Sequence, residues 1–293
     1  MSSDGIKRFG GSWSDAKLQA LASYLEAYTQ ALKNKPFKLA YIDAFAGAGL
    51  REVLRSEPGW FDDSFKEEDE HYRHGSPLIA LSNKPAFHTL IFIEKDSSSL
   101  SSLRSQVEAL PEAAGRDIRF LEGEANEQLQ KLIKRNWSGH RAVAFLDPFA
   151  LEVSWETVEQ IALTQAIDMW LLFPAMAVNR MLPKSGKVPD KWAKRLDRLF
   201  GEGDWHNIFY TKRQPDLFGD ELISKTPRVF EELSEYVTHR LGEVFAETTN
   251  APLILRNSSG APLFLLCFAS GNPKGAPIAT RIAQHIINTS NHG

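Results

Sequence analysis

The residues able to do chemistry sit where short apolar runs stop. In YIDAFAGAG, Tyr41 to Gly49, the run ends on Asp43, and glycines follow at Gly47 and Gly49. Positions without side chains beside an acid let the chain turn tightly and let backbone N–H groups approach a bound polar group. Phe45 and Ala46 share that turn, so Asp43, Phe45, Ala46, Gly47 and Gly49 are candidate cofactor contacts. The pattern is not GxGxxG, because position 52 is Glu, and this disfavours a dinucleotide. A second run, FIEKD, ends at Glu94. An ionised carboxylate there has two acceptor oxygens for the two hydroxyls of a ribose, and it would repel a 2′-phosphate. A third run ends in LEGEAN, with Glu124 placed to meet an adenine amino group. Acids after three successive strands, with glycines after the first, suit S-adenosylmethionine. That molecule is cationic at its ammonium and sulfonium and has no phosphate to be repelled. Taken singly, a strand-end acid can cap a helix and glycines can simply make a turn. Their order on successive strands favours the cofactor.

The fourth run, FLDPFAL, ends on Asp147, Pro148 and Phe149, the candidate catalytic residues. Methyl transfer is an in-line displacement at a sulfonium, so the enzyme mainly aligns the nucleophile. A hydrogen bond from an amine to Asp147 would orient the lone pair and offer the proton an acceptor. Phe149 would give a planar substrate a flat apolar surface. The segment looks like the DPPY-type motif of amino-methylating enzymes, but reads DPFA, without the second proline, a departure that bears on nitrogen specificity. The plainer reading is that Asp147 caps the next helix and Pro148 shapes the turn. Asn179 and Arg180, after the fifth run, are candidate substrate contacts, Arg being suited to planar carboxylate or phosphate groups.

Other chemistry-bearing residues read as structural. Cys267 lies inside LFLLCFAS and reads as a small buried residue. His71 and His74 have ligand-like spacing in a charged loop without supporting carboxylate geometry, so no metal is expected. Lys191, Lys194, Arg195 and Arg198 share one side of a helix and suit phosphates, although a solvated face is the commoner meaning of such a cluster.

Five runs, FKLAYIDAF, HTLIFIEKD, DIRFLEGE, RAVAFLDPF and IDMWLLFP, are too short and too continuously apolar for surface helices. Helix-like segments alternate with them, which predicts an α/β fold with a parallel sheet covered on both faces. APLILRN and LFLLCFAS, joined by SSGAP, read as a hairpin, so one late strand is antiparallel. Five parallel units closed by such a hairpin are the Rossmann-like sheet of class I methyltransferases. Two mirrored nucleotide-binding halves would instead continue with parallel units. Leu18, Leu21, Ala22, Leu25, Tyr28 and Leu32 recur at helical spacing, so residues 1–35 are expected to hold a helix docked on the core. Residues 36–293 form the main domain, with a helical cap inserted at about 175–247. The acidic run KEEDEH sits in a long loop that reads as a lid or a mobile segment.

The chain has 293 residues, of which 43% are hydrophobic and 24% charged, and a formal net charge of −3. That is an ordinary globular composition without a global basic field. One cysteine excludes an internal disulfide and suits a reducing compartment. The N-terminus lacks an apolar signal-peptide core, and no run approaches a membrane span. The expected location is the cytoplasm.

The landmarks YIDAFAGAG, GSPLIAL, FIEKD, FLDPFAL, DMWLLFP, LDRLFG followed by W, and FASGNPKG together resemble the three-Cys-motif partner proteins. The likeness runs from WSDAKL to FASGNPKGAPIATRI. It implies a class I methyltransferase-like fold and S-adenosylmethionine at Asp43, Gly47, Gly49 and Glu94. It also implies a partner bearing three cysteines, of iron–sulfur type. The family pattern has Gly-Asp where this chain has Gly123-Glu124, which alters the reach of the adenine contact. The leading expectation is methyl transfer to a nucleobase, nucleotide or nucleic acid. A cofactor-binding scaffold for the three-cysteine partner is the second reading. The third is a magnesium-dependent nuclease using Asp43, Glu94 and Asp147.

Overall fold

The computed structural model describes residues 13–49, 75–201, 204–213 and 222–291. The KEEDEH run, His71 and His74 lie outside the described residues.

A long helix, α1 (Trp13–Leu32), precedes five strands: β1 (Lys38–Asp43), β2 (Thr89–Glu94), β3 (Asp117–Glu122), β4 (His140–Leu146) and β5 (Ile167–Phe173). Between them run α2 (Ser76–Ser82), α3 (Ser97–Glu108), α4 (Ala125–Ile133) and α5 (Trp155–Leu163). All five strands are parallel, in the order 3-2-1-4-5. The order reverses at β1, which pairs β2 on one side and β4 on the other, and ligands of open α/β sheets bind above such a reversal.

Beyond β5 come α6 (Ala175–Met181), α7 (Asp190–Phe200), α8 (Trp205–Phe209), the strands β6 (Tyr210–Arg213) and β7 (Leu222–Lys225), and α9 (Val229–Val244). The stretch expected to be helical thus also carries an antiparallel β6–β7 ribbon. The chain ends with β8 (Glu247–Thr248), β9 (Leu253–Arg256), β10 (Pro262–Ser270) and α10 (Ala276–Asn291). β10 lies antiparallel to β5, and β8 and β9 pair along its other edge. The expected β9–β10 hairpin is present. Asn257 closes its turn, its Oδ1 accepting from the Ala261 N–H at 2.8 Å and the Ser259 hydroxyl at 2.8 Å.

Strand alternation sends side chains to two separate cores. Ile42, Ile93, Ala144 and Met169 pack against α4, α5 and α9. Tyr41, Phe92, Phe145 and Trp170 pack against α1, α3 and α10. Each fully buried Leu, Ile or Phe side chain in these layers is worth about 1.5–3 kcal/mol. Coverage of both faces explains why the strands read as unbroken apolar runs. Cys267 is buried on β10, and burial pushes its thiol up to about 12. No helix among the described residues is long and apolar enough to cross a membrane.

Helix α1 lies along the sheet and is pinned to it by side-chain polar contacts. Near its middle, Tyr24 Oη donates to Asp168 Oδ2 at 2.9 Å, and the Ser270 hydroxyl donates to Asp168 Oδ1 at 2.6 Å. Burial raises the Asp168 carboxyl to about 6 against these hydrogen bonds. A folded-state value above the ordinary one means that the group favours folding fully only below about pH 4, and that this contribution is lost as pH rises through about 6. Asp168→Asn is therefore expected to gain stability relative to the parent between pH 4 and 7, by up to about 3 kcal/mol. Urea unfolding of both proteins across that range measures it, and a pH-independent difference would contradict it.

Candidate active site

The turn after β1 depends on two glycines. Gly47 has φ +61° and Gly49 φ +88°, a region that L side chains rarely enter. Among the described residues, a Cβ placed on Gly47 would meet nothing within 4 Å. The Gly47 N–H donates to Glu94 Oε2 at 2.9 Å, and the Asp96 N–H donates to Glu94 Oε1 at 2.9 Å. Each carboxylate oxygen keeps a second lone pair. Gln106 of α3 steadies the turn from behind, its Nε2 donating to the Ala48 carbonyl at 2.7 Å. The Ala46 N–H reaches the Ile93 carbonyl at 2.9 Å, tying the turn to β2. The sequence-predicted Gly47 and Glu94 therefore meet in one hydrogen-bonded turn, and the carboxylate's remaining lone pairs suit a ribose-bearing, phosphate-free ligand such as S-adenosylmethionine.

Gly75, at the start of α2, closes the other side. A Cβ there would stand 2.6 Å from the Gly49 carbonyl oxygen, which is backbone and cannot swing aside. Gly75→Ala is expected to destabilise the fold by about 1–3 kcal/mol through overpacking and to weaken ligand binding at the turn. Unfolding midpoints test the first effect. An unchanged midpoint would mean that the turn has slack.

Asp43 sits on the inner side of this turn. It is fully buried and accepts from Tyr41 Oη at 3.0 Å, the Phe45 N–H at 3.3 Å and the Ser76 hydroxyl. Burial raises its carboxyl to about 6; these hydrogen bonds oppose the rise, and the nearby Asp147 adds to it. Asp43 thus shapes the loop from within the α1–α2 side of the sheet.

Asp147 follows β4 on the same side. Its Oδ2 accepts from Lys17 Nζ of α1 in an ion pair. Lys17 is only 2% exposed and lies 5.3 Å from the centre of the Trp13 ring. The cap of α5 is Ser154, not Asp147, so the plain capping role is filled by another residue. Sequence reasoning missed Lys17. The signal for it is a lysine standing in the buried stripe of α1, seven residues before Tyr24.

Glu124 caps α4, accepting from the Glu127 N–H at 3.1 Å and from Asn126 Nδ2 at 2.5 Å. It also lines a cleft of about 570 Å³ with Asn126, Trp155, Asp197 and Arg198. Phe149 is 70% exposed, and its N–H donates to Glu152 Oε2 at 3.3 Å. Glu152 also takes Lys95 Nζ at 2.6 Å, joining the loops after β2 and β4. That hydrogen bond raises the Lys95 pKa. Asn179 lies on α6, where its Oδ1 and carbonyl both accept from Lys225 Nζ at 2.6 Å, and Arg180 is exposed beside it. The three acids of the nuclease reading turn to different partners. Among the described residues no group of three or more His, Cys, Asp or Glu could hold a metal.

No family model matches the chain, and no curated protein matches it. Its likenesses among solved structures include Trm1 from Pyrococcus horikoshii in complex with S-adenosyl-L-methionine. That match has 10% identity and TM-score 0.45, over 90% of this chain and 56% of that one. A DUF519-family protein from Legionella pneumophila matches at 16% identity and TM-score 0.41, over 80% and 94%. A SAM-dependent methyltransferase from Methanosarcina mazei matches at 11% and 0.36, over 80% and 93%. The class rests on the chain's own topology: five parallel strands in the order 3-2-1-4-5, extended by an antiparallel β10, make a Rossmann-like, class I methyltransferase fold.

Proposed function

We propose that the protein is an S-adenosylmethionine-dependent methyltransferase acting on an amino nitrogen of a nucleobase. The observation that carries this reading is the Gly47 N–H held on the Glu94 carboxylate, with no described residue within 4 Å of a Cβ at Gly47. When bound, the cofactor would supply an electrophilic methyl group to the acceptor nitrogen, and the proton that nitrogen gives up would pass to Asp147. Glu94 offers its remaining lone pairs to the ribose hydroxyls, and Glu124 stands at the adenine end. Asp147, steadied through Oδ2 by Lys17, presents Oδ1 to the acceptor N–H. Phe149 gives the base an exposed ring on which to stack. The landmark set supports membership of the three-Cys-motif partner proteins and with it a cysteine-rich partner, which co-purification from the native host would reveal.

The test is calorimetric titration with S-adenosylhomocysteine, followed by transfer of a labelled methyl group to DNA, RNA and nucleotide pools. Binding with label on base nitrogen is expected. Absence of binding at about 1 mM ligand, an affinity too weak for specific recognition, would sink the reading. Binding without transfer to any pool would turn it into the scaffold reading.

A further inference from the structure

The cap carries a one-sided stripe of charge that methyl transfer by itself does not use. Between Lys184 and Arg198 the chain has six cations, Lys184, Lys187, Lys191, Lys194, Arg195 and Arg198, against two carboxylates, although its formal net charge is −3. All six are exposed, and among the described residues none is ion-paired. One of the two carboxylates, Asp197, accepts from Trp205 Nε1 at 2.8 Å. Lys191, Lys194, Arg195 and Arg198 follow the i, i+3, i+4, i+7 spacing of one helix face, while Leu196, Leu199 and Phe200 are buried against the core. Surfaces that serve solubility alone intersperse both signs. Here positive charge is crowded enough that Lys184 adds to the effect of burial in lowering the pKa of Lys225.

The C-terminal end of the stripe packs against the start of α5. α7 ends at Gly201, where a Cβ would stand 2.5 Å from Trp155 Cδ1. Trp155 opens α5, just after the loop that carries Asp147 and Phe149. Arg198 lines the same cleft as Glu124. From Lys191 to Arg198 the helix rises about 10 Å, the length of about three phosphates of a strand stacked at roughly 3.4 Å each and of fewer where the strand is extended. Phe149, exposed in the loop before α5, offers a flat ring of the kind on which an unstacked base stacks.

We infer that α7 is a strand-binding surface: the substrate is a single-stranded nucleic acid, with its backbone phosphates on this stripe and one unpaired base at Phe149, rather than a free nucleotide. The base contact rests on the methyltransferase reading; the phosphate contacts do not.

The experiment is fluorescence anisotropy of the full chain with a labelled single strand of about 12 nucleotides, RNA and DNA in turn, with S-adenosylhomocysteine present. Salt is varied from about 50 to 200 mM. Binding is expected, with a slope of log affinity against log salt near −2, about 0.7 for each of roughly three phosphates. The variant K191E/K194E/R195E is expected to lose about tenfold or more in affinity and most of the slope, with unchanged affinity for S-adenosylhomocysteine. No strand binding at the lowest salt, a variant that binds like the parent, or equal binding of duplex or polyglutamate would each overturn the proposal. Equal polyglutamate binding would point to an acidic protein instead. Should the variant lack native circular dichroism, the parent's salt slope and the polyglutamate competition decide. Failure to bind S-adenosylhomocysteine would remove the methyltransferase reading while leaving the strand titration to be read separately.

Discussion

Asp147→Ala is expected to lower methyl transfer by about 10²–10⁴-fold, the usual worth of a positioned proton acceptor, while affinity for S-adenosylhomocysteine stays near that of the parent. Among the described residues Lys17 is its hydrogen-bond partner, through Oδ2 alone, so Oδ1 remains to take an acceptor N–H. The same substitution has a structural consequence. It leaves a lysine of 2% exposure without its counter-ion. Breaking a wholly buried pair costs about 3–5 kcal/mol. Asp147 keeps 23% of its side chain exposed, so a loss of about 2–3 kcal/mol is expected here. The double variant K17M/D147A separates the two effects. An apolar side chain of similar length in place of a buried cation should restore stability, because removing both members of a buried pair is often neutral. It should not restore transfer. If the double variant regained activity, Asp147 would be no more than the counter-ion that fixes α1 to the sheet.

Glu94→Ala is expected to weaken binding of S-adenosylhomocysteine by about 10–100-fold, the loss of a charged hydrogen-bond acceptor being worth about 1.5–3 kcal/mol. Glu94→Gln should be almost as damaging, for a reason specific to this turn. Both carboxylate oxygens accept from backbone donors, Oε2 from the Gly47 N–H and Oε1 from the Asp96 N–H. An amide has one acceptor oxygen and one donor nitrogen, so either orientation of the introduced side-chain amide sets N–H against N–H. The glycine turn then loses its anchor even before a ribose is considered. Calorimetry on both variants tests this, with circular dichroism to confirm folding. Parent-like affinity in Glu94→Gln would mean that the carboxylate is a bystander.

Much of the sheet was readable in one dimension, because strands buried on both faces must be apolar throughout and the punctuation between them is local chemistry. FIEKD and YIDAFAGAG carry the same punctuation, an apolar run stopped by an acid, and the fold brings Glu94 Oε2 within 2.9 Å of the Gly47 nitrogen. The β6–β7 ribbon was not readable. Its strands are short and polar, TKR and SK among them, and carry no alternation to separate them from helix or loop. The reason for Gly75 was hidden as well, since its constraint is a carbonyl 26 residues back rather than its own backbone angles.

By itself the sequence determined which residue types stand at the strand ends, because an apolar run, the acid that stops it and the glycines that follow are neighbours along the chain. Only the tertiary structure decided which charge each acid meets. Lys17 reaches Asp147 across 130 positions, and Asp168 finds Tyr24 across 144. A buried charge must be compensated by whatever packing brings beside it, and that depends on how α1 lies across β4 and β5, a matter of three-dimensional packing that no local periodicity records.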